Sequence, residues 1–399
     1  MQDHAPSDRL IRYVDPIEGF HGFLAIAGHG HRLAAGGCRV VPGLNEGTIV
    51  ALADAMALKQ RLLGLAVDGA KAGIDYDPNA PGKREALRRF LRFLRPHLLE
   101  RYSAGPDRGT TWEELEALAR EEGMVSVKGA VARAQELDEQ EFRRRLAVLD
   151  VDASGLTVGQ RRAGHALAHA AIAACRRRSA DRPLVAAIQG FGNLGRGAAL
   201  ALAEAGVTIA AVSDEHASVT SEEGIDVRAL LDSPPGTALA EAAAGRARTE
   251  AREAVLQAPV DVVVLAAVRD AVTLAQARAL PATAVAVGAN LGLRPSVEEL
   301  LYRRGVDVVP DFVAGSGGSA SMDALFGPPL CPDAGQVLSA TAAVLGELVH
   351  EVLGRARAGD IRPREAAMAM SRFRVPPGKP YGRARRVAAA GATAGGARG

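Results

Sequence analysis

Three features of this 399-residue sequence predict an α/β fold in two domains. From Pro183 onward, short apolar runs alternate with Ala-rich helical stretches, the pattern of a doubly wound parallel sheet. The run Gly190-Phe-Gly192-Asn-Leu-Gly195 directly follows the first of those apolar segments. Ahead of it, residues 9–41 alternate short apolar runs with Gly and His, as strands do. The expected boundaries are a first α/β domain over 1–150, a dinucleotide-binding domain over 151–325, helices over 326–373 packing back on the first domain, and a disordered tail over 374–399.

Composition excludes several classes. With 48% hydrophobic and 24% charged residues the chain can bury a core in each domain. A formal net charge of +2 gives no electrostatic case for nucleic acid. Three widely spaced cysteines, Cys38, Cys175 and Cys331, suit a reducing compartment rather than a disulfide framework. The first residues show neither a basic nor an apolar leader region, and no uninterrupted 18-residue apolar run occurs, so the expected location is cytoplasmic, away from any membrane.

In chain order, strands over 9–41 lead to residues 46–64, where Ile49, Leu52, Ala53, Met56 and Leu63 recur at helical spacing and Lys59 projects near the helix end. Lys71 follows in Gly69-Ala-Lys71-Ala-Gly73, read as a Gly-rich turn that lets backbone approach a ligand. Residues 83–103 read as an Arg-rich amphipathic helix, 112–124 as a helix with acids in its first turn, and 129–150 as charged and helical. A helix over 158–178 precedes the strands Leu184–Ile188, Thr208–Val212, Val260–Leu265, Ala284–Val287 and Val306–Val309, and long helices occupy 334–372.

A glycine triplet alone is weak evidence in a Gly-rich chain; its setting strengthens this one. The three glycines serve a tight turn, close approach of pyrophosphate to backbone, and close packing of helix on strand. Gly190, Phe191, Gly192, Asn193, Leu194 and Gly195 would then bring pyrophosphate to a helix N-terminus, where free N–H groups favour an anion. Asp214, nineteen residues past Gly195 at the end of the next strand, is placed to accept hydrogen bonds from the adenosine ribose. The expected cofactor is NAD, with NADP possible, in a Rossmann-type domain.

Lys59 and Lys71 lie twelve residues apart, and Asp107 follows in Gly105-Pro-Asp107-Arg-Gly-Thr110. Joined to the nucleotide motif and to Gly36-Gly-Cys-Arg39, Gly288-Ala-Asn290 and Val309-Pro-Asp311, their order and spacing resemble the glutamate/leucine/phenylalanine/valine dehydrogenase family over about residues 20–370. The resemblance implies NAD(P)-dependent interconversion of an L-amino acid with a 2-oxo acid and ammonia. It makes residues 1–150 the substrate-binding and oligomerisation domain of a homo-oligomer, with a cleft between the two domains. It also implies that Lys59 pairs with the substrate α-carboxylate, that Lys71 is the catalytic lysine, and that Asp107 shuttles protons. Gly36 and Gly37 would line the substrate, Asn290 would lie near the nicotinamide ribose, and Thr157 near the nicotinamide amide. A lysine serves as base near neutral pH only if burial and a second ammonium lower its proton affinity.

Three departures from the family pattern bear on substrate and rate. Ala35 stands where glutamate-specific members carry the lysine that holds the side-chain carboxylate, which points to a non-acidic substrate; the alternative is a small residue in a tight turn. Asp68 replaces a usual glycine three residues before Lys71, and either turns away from that ammonium or opposes its tuning. Gly315-Ser-Gly-Gly318 replaces Asn-Ala-Gly-Gly, losing an amide. Glutamate as substrate, with Arg39 holding its side chain, and a catalytically impaired ligand-binding or regulatory member are the alternatives. No metal site is expected: the His165-x-x-x-His169 and His29-x-His31 pairs each lack a third ligand.

Overall fold

A computed structural model describes residues 9–176, 182–233, 237–267 and 269–382. These form two units: residues up to Arg145 together with Arg372 onward, and Leu146–Ser371.

The first unit runs β1 (Arg9–Val14), β2 (His21–Ala27), β3 (Leu33–Val40), α1 (Glu46–Leu62), β4 (Val67–Ile74), α2 (Lys83–Glu100), β5 (Tyr102–Pro106), α3 (Trp112–Glu121), α4 (Gly129–Gln135) and α5 (Glu139–Ala147). Among the described residues its sheet has the order β1-β2-β4-β3-β5. β2 is antiparallel to β1 and β4, whereas β3 is parallel to β4 and β5. Successive strand residues point to opposite faces. Leu24, Ile26, Cys38, Ala70, Ala72, Tyr102 and Ala104 meet Phe90, Leu94 and Leu98 of α2 and Leu115 and Leu118 of α3. On the other face Phe23, Ala25 and Ala27 meet Ile49, Ala53 and Ala57 of α1.

α1 starts where Asn45 accepts the Thr48 N–H, with Glu46 in its first turn and Lys59 and Arg61 in its last. It lies almost in contact with β4, because a Cβ on Gly69 would stand 2.2 Å from the Ala57 nitrogen. The Gly-rich segment around Lys71 is therefore a strand, not the expected turn, and every residue of it is buried. Its glycines and alanines lower strand propensity, but they let helices pack closely on both faces. Ala35, Gly36 and Gly37 lie within β3, inside the 9–41 segment expected to form strands, and not in a tight turn. The segment 129–150 divides into α4, α5 and a short 3₁₀ turn, broken at Glu136, whose φ is +60°.

The second unit comprises α6 (Val158–Arg176), β6 (Val185–Gln189), α7 (Asn193–Glu204), β7 (Thr208–Ser213), β8 (Ala217–Thr220), α8 (Val227–Leu231), α9 (Leu239–Ala242), β9 (Arg248–Ala251), β10 (Val262–Leu265), α10 (Leu274–Ala279), β11 (Ala284–Val287), α11 (Pro295–Arg303), β12 (Asp307–Val309), α12 (Asp311–Ala314), α13 (Gly317–Phe326), α14 (Ala334–Ala358) and α15 (Pro363–Met370). Its sheet has the order β12-β11-β10-β6-β7-β8-β9, parallel from β12 to β7. β8 and β9, which the apolar pattern did not reveal, extend the edge antiparallel. The chain crosses over on either side of β6, which creates the switch point where such sheets bind nucleotides.

The helices expected to fold back on the first domain lie instead in the second unit. α14 packs along α6 and against α13, burying Val337, Leu345, Val349 and Val352. α14 is long and apolar enough to cross a bilayer by composition, but its apolar stripe is part of this core. The chain rejoins the first unit from Arg372. There Val375 and Tyr381 are buried, and Gln135 accepts bonds from Lys379 Nζ and the Tyr381 N–H. The expected disordered tail over 374–399 is thus ordered through 382; the rest lies outside the described residues.

Candidate active site

The first unit brings Lys71, Asp107 and Arg39 together on one sheet face. Lys71 Nζ donates to Asp107 Oδ2 at 2.6 Å, and Arg39 Nε donates to the same oxygen at 2.8 Å. The Lys71 side chain is 4% exposed, that of Arg39 10% and that of Asp107 14%. Burial pushes the Asp107 carboxyl up, but the charges of Lys71 and Arg39 and their hydrogen bonds outweigh it and hold the group well below the usual carboxylate range. The Thr110 hydroxyl accepts the Asp107 N–H at 3.0 Å and donates to the Cys38 carbonyl at 2.8 Å, fixing the loop that carries the carboxylate.

Small residues clear the space above this triad. A Cβ on Gly37 would lie 2.9 Å from Asp107 Cβ and 3.1 Å from Lys71 Nζ. One on Gly36, which alternates to the opposite face, would lie 1.6 Å from the Ala70 carbonyl oxygen of the neighbouring strand. Ala35 pairs with Ser103 and Gly69, on the same face as Gly37 and Lys71. Lys59 is buried in the last turn of α1, the helix that covers the neighbouring part of this face. Asp68, three residues before Lys71, points the other way. It accepts the N–H groups of His29, Gly30 and His31 at 2.8–3.0 Å and pairs with Arg101 at 2.7 Å.

The second unit holds the glycine run between β6 and α7. Gly190 has φ +100°, and a Cβ there would meet Ala267 at 2.7 Å. A Cβ on Gly195 would lie 1.8 Å from the Gly190 carbonyl oxygen, whereas Gly192 faces open space. α7 begins at Asn193, and no side chain caps it. Its first N–H groups at Asn193, Leu194 and Gly195 remain suited to a pyrophosphate, with Phe191 beside Arg196.

Asp214 follows β7 and is engaged. Its Oδ1 accepts the His216 and Ala217 N–H groups, and its Oδ2 accepts the Leu239 N–H. Burial pushes its carboxyl up, yet these bonds hold it below the ordinary value. A carboxylate has about four acceptor positions, so three N–H donors leave one for a ribose hydroxyl. Thr157 and Gln160 cap the start of α6 reciprocally. Asn290 lies in the loop after β11, where the Leu291 N–H donates to Asp311 Oδ2 at 2.8 Å and Leu291 has φ +56°.

Residues 155–324 match the Glutamate/Leucine/Phenylalanine/Valine dehydrogenase family, and residues 9–123 match the Glu/Leu/Phe/Val dehydrogenase dimerisation domain. The chain belongs to this family of NAD(P)-dependent amino acid dehydrogenases. It is 28% identical to the NADP-specific glutamate dehydrogenase A1 of Halobacterium salinarum, over 71% of this chain and 66% of that protein. It is 28% identical to the glutamate dehydrogenase of Thermotoga maritima, over 76% and 71%. The chain thus spans about two thirds of the length of the curated relatives it matches. The hetero-hexameric glutamate dehydrogenase of Thermus thermophilus, in its Leu-bound form, superposes with a TM-score of 0.71 at 26% identity, covering 92% of this chain and 87% of that one. The L-tryptophan dehydrogenase of Nostoc punctiforme, at 17% identity and a TM-score of 0.56, shares the fold.

Against the family pattern, Gly315 closes α12, and Arg162 donates to the Gly318 carbonyl and the Ser321 hydroxyl. Two contacts could not be read from spacing. Arg39 clamps Asp107, although the Gly-Gly-x-Arg run carries it. Lys128, before α4, is buried over the Trp112 ring, donates to the Ala104 carbonyl and lies 3.8 Å from the Cβ position of Gly105. No pattern around Lys128 marked it. Of the histidine pairs, His165 and His169 lie 4.6 Å apart on α6; among the described residues no group of three potential ligands forms a metal site.

Proposed function

We propose that this chain oxidatively deaminates a non-acidic L-amino acid to a 2-oxo acid and ammonia, and runs the reverse reductive amination. One observation carries the substrate class. Ala35, on the Lys71 face, offers no charge, and the Arg39 guanidinium, the alternative holder of a side-chain carboxylate, is engaged by Asp107. An unpaired carboxylate in a dry site costs several kcal/mol.

In this reading Lys59 pairs with the α-carboxylate, and Asp107 takes a proton from the substrate amine. Lys71 activates water against the iminium carbon, and must first release the proton that holds it to Asp107. NAD(P), when bound, accepts the hydride that leaves Cα. Gly190 to Gly195 would hold its pyrophosphate, Asp214 its adenosine ribose, and Asn290 and Thr157 its nicotinamide end.

Glutamate is the second reading, supported by the names of the curated relatives and by Lys128, a buried cation beside Gly105. The impaired-member reading loses part of its ground, since Asp68 is committed to the backbone of residues 29–31. The dimerisation-domain match supports a homo-oligomer, and Cys38, Cys175 and Cys331, none of them in a disulfide, support a cytoplasmic location.

The deciding experiment is a panel of twenty L-amino acids with NAD and NADP, followed at the nicotinamide absorbance band. Leucine, valine, phenylalanine or a residue of similar size should exceed glutamate in kcat/KM by about a hundredfold or more. Ala35→Lys should shift the ratio toward glutamate. A wild-type preference for glutamate that Lys128→Met removes would replace this reading with the second. Failure to oxidise any amino acid would favour the impaired member.

A further inference from the structure

The catalytic reading assigns no role to Arg39, a buried cation on the Lys71 face. Arg39 lies in β3 with its stem against β4: a Cβ on Gly73 would meet Arg39 Cγ at 2.7 Å, so glycine is what lets the side chain lie flat on the sheet. Its Nε reaches the same Asp107 oxygen as Lys71 Nζ, at 2.8 Å against 2.6 Å. Two cations on one carboxylate oxygen are redundant while both are charged.

They stop being redundant during turnover. Lys71 must lose its proton to solvent before it acts on water, and from then on it ceases to neutralise Asp107. A guanidinium does not deprotonate in a protein. We propose that Arg39 is a positioning residue, the permanent counter-charge that holds Asp107 ionised and oriented while Lys71 is neutral. This rests on the roles given above to Lys71 and Asp107.

The other groups around Asp107 do not replace it. Tyr102 on β5 and Cys38 on β3 are neutral, burial pushing the tyrosine hydroxyl well up and the thiol up to about 12. Lys128 is bonded to the Ala104 carbonyl. An opposite charge at this range lowers a carboxyl by about one to three units. Removing it should therefore raise the proton affinity of the Lys71–Asp107 pair and narrow the pH range in which Lys71 is neutral while Asp107 is ionised, which is the state the acid limb reports.

The test is the pH profile of kcat/KM for deamination of the preferred amino acid. Arg39→Gln should move the acid limb upward by about one unit or more. Arg39→Lys, which keeps the charge and loses the fork, should restore most of the limb's position. An unmoved limb in a folded Arg39→Gln enzyme, with kcat merely reduced, overturns the proposal. If a thermal melt shows that variant unfolded, Arg39→Met, which keeps the stem on Gly73, takes its place; failure of both to fold makes Arg39 structural and also overturns the proposal. Asp107→Asn separates the two readings: it should lose most turnover and the limb with it. Wild-type turnover with the limb intact in that variant would sink the role of Asp107 itself, whatever Arg39 does.

Discussion

Lys71 carries its charge on a strand in which every residue is buried, held by a carboxylate that a second cation also grips. A general base contributes about a hundred- to ten-thousand-fold to rate. Lys71→Ala should therefore cut turnover by about that much, and NADH fluorescence titration should show nearly unchanged affinity, because the glycine run is a separate element. Substantial kcat in the purified variant would remove Lys71 from the mechanism. The lysine and the aspartate were legible as residue types in a recognisable order. The Arg39 contact was not, because a guanidinium four residues past Ala35 can reach many partners, and only strand pairing sets Asp107 beside it. Asp68 behaves likewise: three residues from Lys71 in sequence, it lies on the opposite face, since side chains alternate along a strand.

At the scale of elements, the β6–α7 turn leaves no room at two of its glycines. Gly195→Ala would drive a methyl into the Gly190 carbonyl oxygen. Overpacking of this kind costs about 1–3 kcal/mol, so a lower melting temperature and weakened NADH binding are expected together. Wild-type affinity in that variant would show that the turn does not cradle the pyrophosphate. Asp214 should favour NAD, since its remaining acceptor position suits a free 2′-hydroxyl and its charge repels a 2′-phosphate. Comparison of kcat/KM with the two cofactors decides this, and an NADP advantage would reassign Asp214 to capping the β7–β8 turn alone. Periodicity located α1, α6 and the parallel strands closely. It missed β4, because a strand made of glycine and alanine lacks the β-branched signal, and it missed β8 and β9, which are short and polar at the edge.

For the whole molecule, acid is the informative variable. Burial would push Asp15 up, but hydrogen bonds from Arg89, the Glu18 N–H and Tyr13 hold it well below its ordinary range, as Lys71 and Arg39 do for Asp107. A carboxylate depressed in the folded state stabilises fully above its unfolded value of about 3.9, and that stability is lost as pH falls through it toward the folded value. The melting temperature of the first unit should fall steeply below about pH 4. Asp15→Asn should be less stable than wild type at pH 7 and flatter in acid. A melting temperature constant from pH 7 to 3 would contradict the linkage.

Local sequence was enough for the α/β class, the glycine-rich turn from strand to helix, and the lysines and aspartate expected to act on substrate. These depend on periodicity, on glycine where backbone must turn or approach closely, and on residue chemistry. It took the folded chain to show which cations share Asp107, that Asp68 turns away from Lys71, and that α14 belongs to the second unit while residues 372–382 return to the first. Those outcomes depend on strand order, register and burial, which join residues dozens to hundreds of positions apart and leave no mark in local spacing.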